Sequence, residues 1–202
     1  MYCYDNGVKN APKSVFPHDL NAVFLDRDGV LNEKMPEGRY VTGWHEFHLL
    51  PGVPQAIARL NRAGLRVVVV SNQRGIALGL YTAADVEYIH ASLQNLLKAH
   101  GAHLDAFYFC PHDKKECNCR KPLPGLFEQA AAQFPDLVAE TSVMIGDSLS
   151  DSEVGHRLGM KTVFIEAAPE HQKPGAHRAA EMADLSSGSL PQAVEILLND
   201  RF

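Results

Sequence analysis

The feature that most constrains the fold is a run of four valines at residues 67–70, directly before a polar turn. The run is apolar on both faces and β-branched, which is typical of a central strand in a parallel sheet covered by helices on both sides. Other short apolar segments alternate with amphipathic stretches, and this alternation predicts βαβ units. We expect the strands at residues 22–25, 66–70, 106–109, 143–145 and 162–165.

The segments between these strands carry helical patterns. Apolar residues repeat at helical spacing between residues 53 and 60, and Gly64 would end that helix. Thr82 and Asp85 have the spacing of a capping box ahead of a second helix. The fold class predicted is therefore α/β, with a Rossmann-like, doubly wound and mostly parallel sheet. Further helices are expected near residues 125–133, 151–158 and 190–198.

Composition limits the class of protein. A chain of 202 residues fits one domain of ordinary size, and a net charge of −5 does not favour binding to nucleic acid. No apolar run approaches the roughly 20 residues of a membrane span, and the first 20 residues lack a signal-peptide pattern. We expect an extension over residues 1–20, a single domain over residues 21–202, no membrane or nucleic-acid partner, a cytoplasmic location and a monomer.

Polar residues follow the predicted strands at the point where each strand ends. Asp26 and Asp28 follow the first strand, Ser71 and Asn72 the second, and Asp147 the fourth. The carboxyl ends of parallel strands form the ligand crevice, so these side chains should converge on one rim. Neighbouring buried carboxylates repel, and Mg²⁺ would relieve that repulsion. Taken singly, each segment also fits an Asp-rich turn or a capped helix terminus.

Four soft ligands lie within ten residues in the pattern C-x-H-x₄-C-x-C. Three thiolates and one imidazole match a tetrahedral structural Zn²⁺ site with no open coordination position. Such a zinc loop would shape the chain beside Arg120 and Lys121 and would do no chemistry. A set of buried or redox-active cysteines is the alternative. The predicted ligands are Cys110, His112, Cys117 and Cys119.

The seven residues from Asp26 to Asn32 (DRDGVLN) resemble the first motif of the haloacid dehalogenase superfamily of phosphohydrolases. Ser71, Lys121 and the Gly146–Asp147 pair resemble the second, third and fourth motifs, in the family's order. Each motif is short and modest alone, whereas the ordered set at strand ends is specific. The resemblance covers most of residues 22–151.

The resemblance implies a Mg²⁺-dependent phosphatase. In it Asp26 would be the nucleophile that forms an aspartyl phosphate, and Asp28 the general acid and base. Ser71 and Lys121 would hold the transferring phosphoryl group, and Asp151 would support a metal-bound water or the loop. The Mg²⁺ ligands would be Asp26, Asp28 through its backbone carbonyl, and Asp147. The substrate-binding residues would be Asn72, Gln73, Arg74 and Arg120.

The cysteine pattern narrows the resemblance to one branch of the family. That branch contains heptose 1,7-bisphosphate phosphatases and histidinol-phosphate phosphatases, whose zinc loops end in C-x-C-R-K-P as residues 117–122 do. Residues 72–77 (NQRGIA) are more like the heptose enzymes, and the short gap between His112 and Cys117 is more like the histidinol enzymes. The leading hypothesis is release of the 7-phosphate from D-glycero-D-manno-heptose 1,7-bisphosphate. The alternatives are a histidinol-phosphate or other small-molecule phosphatase, and an inactive zinc-stabilised binding module.

Some positions depart from the heptose pattern. Ser148 stands where heptose phosphatases often carry Lys, Arg74 stands where a small residue is common, and the stretch 33–40 is longer than expected. One hypothesis is that the cation has moved from position 148 to Arg74 or Arg39. The inserts after the first and third strands are short, so we expect a capless enzyme with an open site.

Overall fold

The computed structural model of the chain describes residues 14–167 and 174–200, in which six parallel strands form one sheet. The strand order is β3-β2-β1-β4-β5-β6, and in register Phe24 of β1 lies between Val68 of β2 and Met144 of β4. The five predicted strands are confirmed. The sixth was not predicted, because its Leu-Ser-Ser sequence carries no apolar run. The strands are β1 (Ala22–Leu25), β2 (Arg66–Asn72), β3 (Ala106–Cys110), β4 (Ser142–Gly146), β5 (Lys161–Ile165) and β6 (Leu185–Ser187).

The described residues form six α-helices, of which five connect consecutive strands and α6 follows β6. The predicted capping box is confirmed, since the Thr82 and Asp85 side chains each bond the other's backbone N–H. The helix at residues 176–182 was not predicted, because its alanine-rich sequence has no apolar periodicity. The helices are α1 (Val53–Arg62), α2 (Ala83–Lys98), α3 (Gly125–Gln133), α4 (Leu149–Leu158), α5 (Ala176–Met182) and α6 (Leu190–Asn199).

The valine run explains why helices cover both faces of the sheet. Val67 and Val69 belong to a core formed with apolar residues of α1, α2 and α6. Val68 and Val70 belong to a second core formed with residues of α3 and α4. Because side chains alternate along a strand, a strand that is apolar at every position must be buried on both faces. The doubly wound α/β fold predicted from this run is confirmed.

The segment before β1 is part of the packed domain from Ser14 onward. Phe16 and Leu20 are buried in the core on the α1 side. The backbone N–H groups of Val15 and Phe16 donate to the Asp200 carboxylate at 2.7 and 3.0 Å, which ties this segment to the end of α6. Residues 1–13 of the predicted extension lie outside the described residues.

The two inserts at the sheet edge are loops. Residues 26–52 contain one 3₁₀ turn (Trp44–Glu46), and residues 111–124 contain no helix or strand. Neither of these two inserts forms a cap domain, as predicted. Within the described ranges, no helix combines the length and apolar character needed to cross a bilayer.

Candidate active site

A cleft at the carboxyl ends of β1 and β2 collects most of the residues that the sequence singled out. Its volume is about 510 Å³, and both inserts contribute to its walls. Asp26, Ser71 and Lys121 line it and are 6%, 1% and 3% exposed, so the floor is polar and nearly dry. Charged groups held in such a place interact more strongly than on an open surface.

Three buried carboxylates meet at the carboxyl ends of β1 and β4, where Asp26 lines the cleft. One oxygen from each of Asp26, Asp147 and Asp151 lies within 4.8 Å of the others. We call these three residues and Lys121 the acidic rim cluster. Asp26 comes from the end of β1, whereas Asp147 and Asp151 come from the turn after β4 and the first turn of α4. Pairing of β1 with β4 therefore brings together carboxylates that are more than 120 residues apart in sequence.

Lys121 is the cation that holds this cluster together. Its Nζ lies 3.0 Å from Asp26 Oδ1 and 2.6 Å from Asp151 Oδ1, and it donates to the Val70 carbonyl at 2.7 Å. Burial alone would lower the pKa of Lys121, but the charges of Asp151 and Asp26 outweigh it and raise the pKa. Lys121 is therefore a fixed positive charge beside the predicted nucleophile.

Lys34 brings a second cation to the cluster from the first insert. Its Nζ lies 2.9 Å from Asp147 Oδ2. Gly29 lets the chain approach the same carboxylate, because its φ is +95° and a Cβ there would overlap the Asp147 side chain. The glycine after the second acid of the first motif is thus required by both backbone and packing.

The Asp28 carboxylate has partners different from those of the other three. Arg27 Nη2 lies 3.0 and 2.9 Å from its two oxygens, and Asn32 Nδ2 and Gln73 Nε2 donate to it at 3.0 and 3.1 Å. Burial raises the pKa of Asp28, but the charge of Arg27 and these hydrogen bonds together keep it below its usual value. The side chain of Asp28 is thus held beside the cluster, at the cleft wall.

The side-chain amides of Asn72 and Gln73 both form hydrogen bonds within the protein. Asn72 accepts from the backbone N–H of Lys121 at 3.0 Å and donates to its carbonyl at 3.1 Å. Gln73 Nε2 donates to Ser71 Oγ at 2.8 Å as well as to Asp28. Both residues were predicted to bind substrate. The structure shows their side chains bonded to three other predicted site residues.

Ser148 begins α4 and bonds within its own turn. Its hydroxyl donates to Asp151 Oδ2 at 2.6 Å, and its backbone N–H donates to the same oxygen at 3.1 Å. One oxygen of Asp151 therefore caps the helix while the other meets Lys121. The position that often carries Lys in heptose phosphatases is here part of a helix cap.

The predicted zinc ligands form a second cluster, which we call the loop cluster. The Sγ atoms of Cys110 and Cys119 lie 3.7 and 3.4 Å from His112 Nδ1, and Cys117 Sγ lies 3.5 and 3.4 Å from those of Cys110 and Cys119. A tetrahedral zinc site with bonds of about 2.0–2.3 Å places its ligand atoms roughly 3.3–3.8 Å apart. These S···S separations are too long for disulfides, and all three cysteines are free.

Both clusters fit metal ions by their donor chemistry. The acidic rim cluster offers hard carboxylate oxygens, which suit Mg²⁺, and the loop cluster offers three sulfurs and one nitrogen. Burial raises the pKa of Cys110 and of Cys119, so these thiols need a cation to ionise together. Cys3, which the sequence leaves alone, lies outside the described residues.

Arg74 and Arg120 stand on the wall between the two clusters. The Arg74 guanidinium forms a two-pronged pair with Asp113 of the cysteine loop, at 2.5 and 3.1 Å. Arg120 lines the cleft, and its Nη1 is buried without a hydrogen-bond partner. Arg74 is therefore already neutralised by a carboxylate, whereas Arg120 Nη1 has no partner within the described protein.

Sequence reasoning missed several residues that complete the site. Arg27 and Asn32 hold Asp28, and both stand inside the quoted first motif, so the signal was present but was assigned no role. Asp113 lies between the predicted zinc ligands His112 and Cys117, and it too was assigned no role. Lys34 and Tyr81 gave no signal, because each reaches the site through a loop whose path only the structure defines.

Comparison with known proteins agrees with this geometry. The family model for haloacid dehalogenase-like hydrolases matches residues 18–159. The D-glycero-alpha-D-manno-heptose-1,7-bisphosphate 7-phosphatase of Mycobacterium tuberculosis is 38% identical over 172 residues, spanning 85% of this chain and 84% of that protein. The D-glycero-beta-D-manno-heptose-1,7-bisphosphate 7-phosphatase of Bordetella bronchiseptica is 35% identical over 179 residues, spanning 88% and 92%.

A solved structure gives the same result. The crystal structure of D,D-heptose 1,7-bisphosphate phosphatase from B. bronchiseptica, complexed with magnesium and phosphate, aligns with a TM-score of 0.74 and 31% identity. The alignment covers 89% of this chain and 99% of that one. The family predicted from the four motifs is confirmed. The chain therefore belongs to the haloacid dehalogenase-like hydrolases, and within them it is a phosphatase.

Proposed function

We propose that this phosphatase releases the 7-phosphate from D-glycero-D-manno-heptose 1,7-bisphosphate through an aspartyl phosphate on Asp26. The single observation that carries the proposal is the position of Lys121, which lies between Asp26 and Asp151 at the floor of a cleft with cationic walls. The names of the relatives support the choice of substrate. The proposed Mg²⁺ site is Asp26, Asp147 and the Asp28 backbone carbonyl, and the proposed Zn²⁺ site is the loop cluster.

The chemistry would run in two balanced steps. A carboxylate oxygen of Asp26 bonds to phosphorus as the bond from phosphorus to the sugar oxygen breaks, and that oxygen takes a proton from Asp28. Asp28 must therefore gain this proton when the substrate phosphate lies beside it, since in the protein alone Arg27 and the hydrogen bonds keep its pKa below the usual value. A water oxygen then bonds to phosphorus, its proton passes to Asp28, and the bond from phosphorus to Asp26 breaks, which releases phosphate. Lys121 and Ser71 would bind the phosphoryl oxygens throughout. When bound, Mg²⁺ supplies charge stabilisation to the same oxygens.

The wall of the cleft supports a substrate with a second phosphate. Arg120 has a buried donor without a protein partner, which is costly unless an anion or water meets it. Because Arg74 is paired with Asp113, the hypothesis that Arg74 replaces the cation missing at position 148 is weakened. Arg39 stays a candidate for that role. The basic side chains along the cleft are Arg27, Lys34, Arg39, Arg74, Lys114, Arg120 and Lys121.

The test is phosphate release with Mg²⁺ from both anomers of heptose 1,7-bisphosphate, heptose 7-phosphate, histidinol phosphate and common sugar phosphates. We expect one heptose bisphosphate anomer to give the highest kcat/KM, at least about tenfold above heptose 7-phosphate. Arg120→Gln should remove that tenfold preference, whereas Arg62→Gln, at an exposed position at the end of α1, should keep it.

Two outcomes would contradict the proposal. Preference for histidinol phosphate would keep the chemistry and overturn the substrate. The absence of phosphate release from every compound, with both metals bound, would overturn the activity and favour a binding module.

A further inference from the structure

The side-chain amide of Gln73 connects the two steps of the proposed chemistry. Its Nε2 donates to Asp28 Oδ2 at 3.1 Å and to Ser71 Oγ at 2.8 Å. Both hydrogens of the amide nitrogen are therefore used on groups that would face the reacting phosphate. Gln73 is 1% exposed, so no solvent competes for these bonds.

A glutamine amide can present either its nitrogen or its oxygen to a neighbour, and here a third side chain decides between them. The Tyr81 hydroxyl donates to Gln73 Oε1 at 2.8 Å, on the side of the amide away from Asp28. Burial, followed by the charge of Asp28, raises the pKa of Tyr81 to about 12, so the hydroxyl keeps its proton at neutral pH. A protonated hydroxyl can also accept, but a hydrogen bond from the backbone of Gly75 already uses its oxygen. The hydroxyl hydrogen is therefore donated to Gln73 Oε1, and the amide oxygen stays turned toward Tyr81.

The loop after β2 is shaped to bring Tyr81 back over Gln73. Its backbone closes through bonds from Ile76 N to Gln73 O at 3.2 Å and from Leu80 N to Gly75 O at 2.9 Å. The Tyr81 ring then lies so close to Gly75 that a Cβ there would overlap it. Tyr81 is 6% exposed. Glycine at position 75 thus makes room for the ring that orients the amide.

We propose that Tyr81 is a positioning residue that fixes the orientation of the Gln73 amide and thereby the Asp28 carboxyl group for proton transfer to the leaving oxygen. The inference rests on the proposed function and names a residue that the four motifs do not contain. If the amide turned over, its oxygen would face the Asp28 carboxylate oxygen that now accepts from Nε2, and repulsion between the two oxygens would displace the Asp28 side chain. Tyr81 prevents this by occupying the amide oxygen.

Leaving-group dependence separates this role from a merely structural one. A sugar alkoxide needs a proton as it leaves, whereas 4-nitrophenolate leaves as an anion and needs none. A misplaced Asp28 should therefore slow transfer from the sugar ester and spare transfer from 4-nitrophenyl phosphate, because kcat/KM reports the steps through formation of the aspartyl phosphate. A general loss of site order would slow both.

The experiment compares Tyr81→Phe with wild type on heptose bisphosphate and on 4-nitrophenyl phosphate. Removing only the hydroxyl keeps the ring against Gly75, so the thermal midpoint should stay within about 3 °C of wild type. We expect kcat/KM for the sugar ester to fall at least about tenfold further than kcat/KM for the aryl ester, whose smaller loss reports the weakened hydrogen bond to Ser71.

The matched control is Tyr108→Phe, which removes a hydroxyl that donates to Gln133 Oε1 at 2.6 Å, outside the cleft lining. Tyr108→Phe should leave kcat/KM unchanged for both substrates. Equal losses on the two esters in Tyr81→Phe, or no loss on either, would overturn the positioning role while the proposed function stands. If wild type prefers another alkyl phosphate, that ester replaces heptose bisphosphate and the same ratio decides. A wild type that hydrolyses neither ester class overturns both proposals.

Discussion

The acidic rim cluster and the loop cluster lie beside each other but are built in opposite ways. The rim cluster gathers Asp26 from the end of β1, Lys121 from the insert after β3, and Asp147 and Asp151 from the turn and helix after β4. It therefore exists only when the parallel sheet has formed. The loop cluster takes all four ligands from residues 110–119. One depends on topology and the other on local spacing. We therefore expect substitutions in the rim cluster to lower catalytic activity most, and substitutions in the loop cluster to lower stability most.

The largest expected effect is at the rim. Asp26→Asn should lower kcat by about a thousandfold or more, because an amide oxygen cannot serve as the attacking carboxylate. The protein should stay folded, since the change removes one of three crowded carboxylates. Steady-state phosphate release and circular dichroism measure the two effects. Asp19→Asn, at an exposed turn, is the control and should match wild type; substantial residual activity in Asp26→Asn would place the nucleophile elsewhere.

The second effect is at the loop. Cys119→Ser should weaken zinc binding by at least about tenfold to hundredfold and lower the thermal midpoint, because the lost ligand also sits in the core against Leu126 and Phe127. Activity should fall less than in Asp26→Asn. Metal analysis by mass spectrometry and calorimetry measure these changes, and Cys3→Ser, outside the ligand pattern, should change neither. A full metal content at an unchanged midpoint would contradict a structural zinc site.

The third effect concerns a buried histidine of α2. His90 is 5% exposed and stacks on Phe107 with ring centres 4.4 Å apart. Burial, followed by the charge of Arg27, lowers its pKa from 6.5 to about 3, against a smaller opposing influence of Asp28. Below pH 6.5 the unfolded chain therefore takes up a proton that the folded chain does not. This contribution to stability is intact above pH 6.5 and is lost as the pH falls toward 3.

Denaturant unfolding at pH 7 and pH 5 measures this effect. Wild type should lose about 2 kcal/mol more than His90→Gln over that interval, since the glutamine does not titrate. His100→Gln, at an exposed position, should keep the wild-type slope. Equal slopes for wild type and His90→Gln would show that His90 takes up its proton in the folded state.

The smallest effect is at the contact between the two clusters. Arg74 and Asp113 are about one third exposed, so solvent screens their pairing. Arg74→Gln and Asp113→Asn should each raise KM a fewfold and leave kcat within about twofold, and the double variant should equal the single ones. Arg66→Gln breaks a comparable pair with Asp136 away from the cleft and should leave KM alone. A large kcat loss in either single variant would mean that Arg74 contacts the reacting group.

The sequence predicted the fold through one kind of signal, the apolar period. Strand β2 was identifiable because four valines need burial on two faces, whereas β6 and α5 lack any apolar pattern and pack through small residues such as Ala176 and Ala179. The family motifs marked the rim because they hold consecutive residues at strand ends. The loop cluster was readable from spacing alone.

The contacts around Asp28 could not be predicted in the same way. Asn72 and Gln73 could bind either substrate or other protein groups. Which of these they bind depends on the direction of their side chains, and the sequence does not give that direction. Lys34 and Tyr81 reach the site through loops whose closure depends on backbone bonds. Arg74 was expected to offer a cation to the substrate, and sequence could not show that its guanidinium pairs with Asp113 instead.

The central claim is that the rim cluster takes the phosphoryl group onto Asp26 while the loop cluster holds the fold. The most direct test is a rapid acid quench of the Mg²⁺-loaded enzyme turning over heptose bisphosphate, followed by peptide mass spectrometry. The account predicts one added phosphoryl group on the peptide containing Asp26, and none after Asp26→Asn. A phosphoryl group on a different residue, or turnover without any phosphorylated peptide, would contradict it.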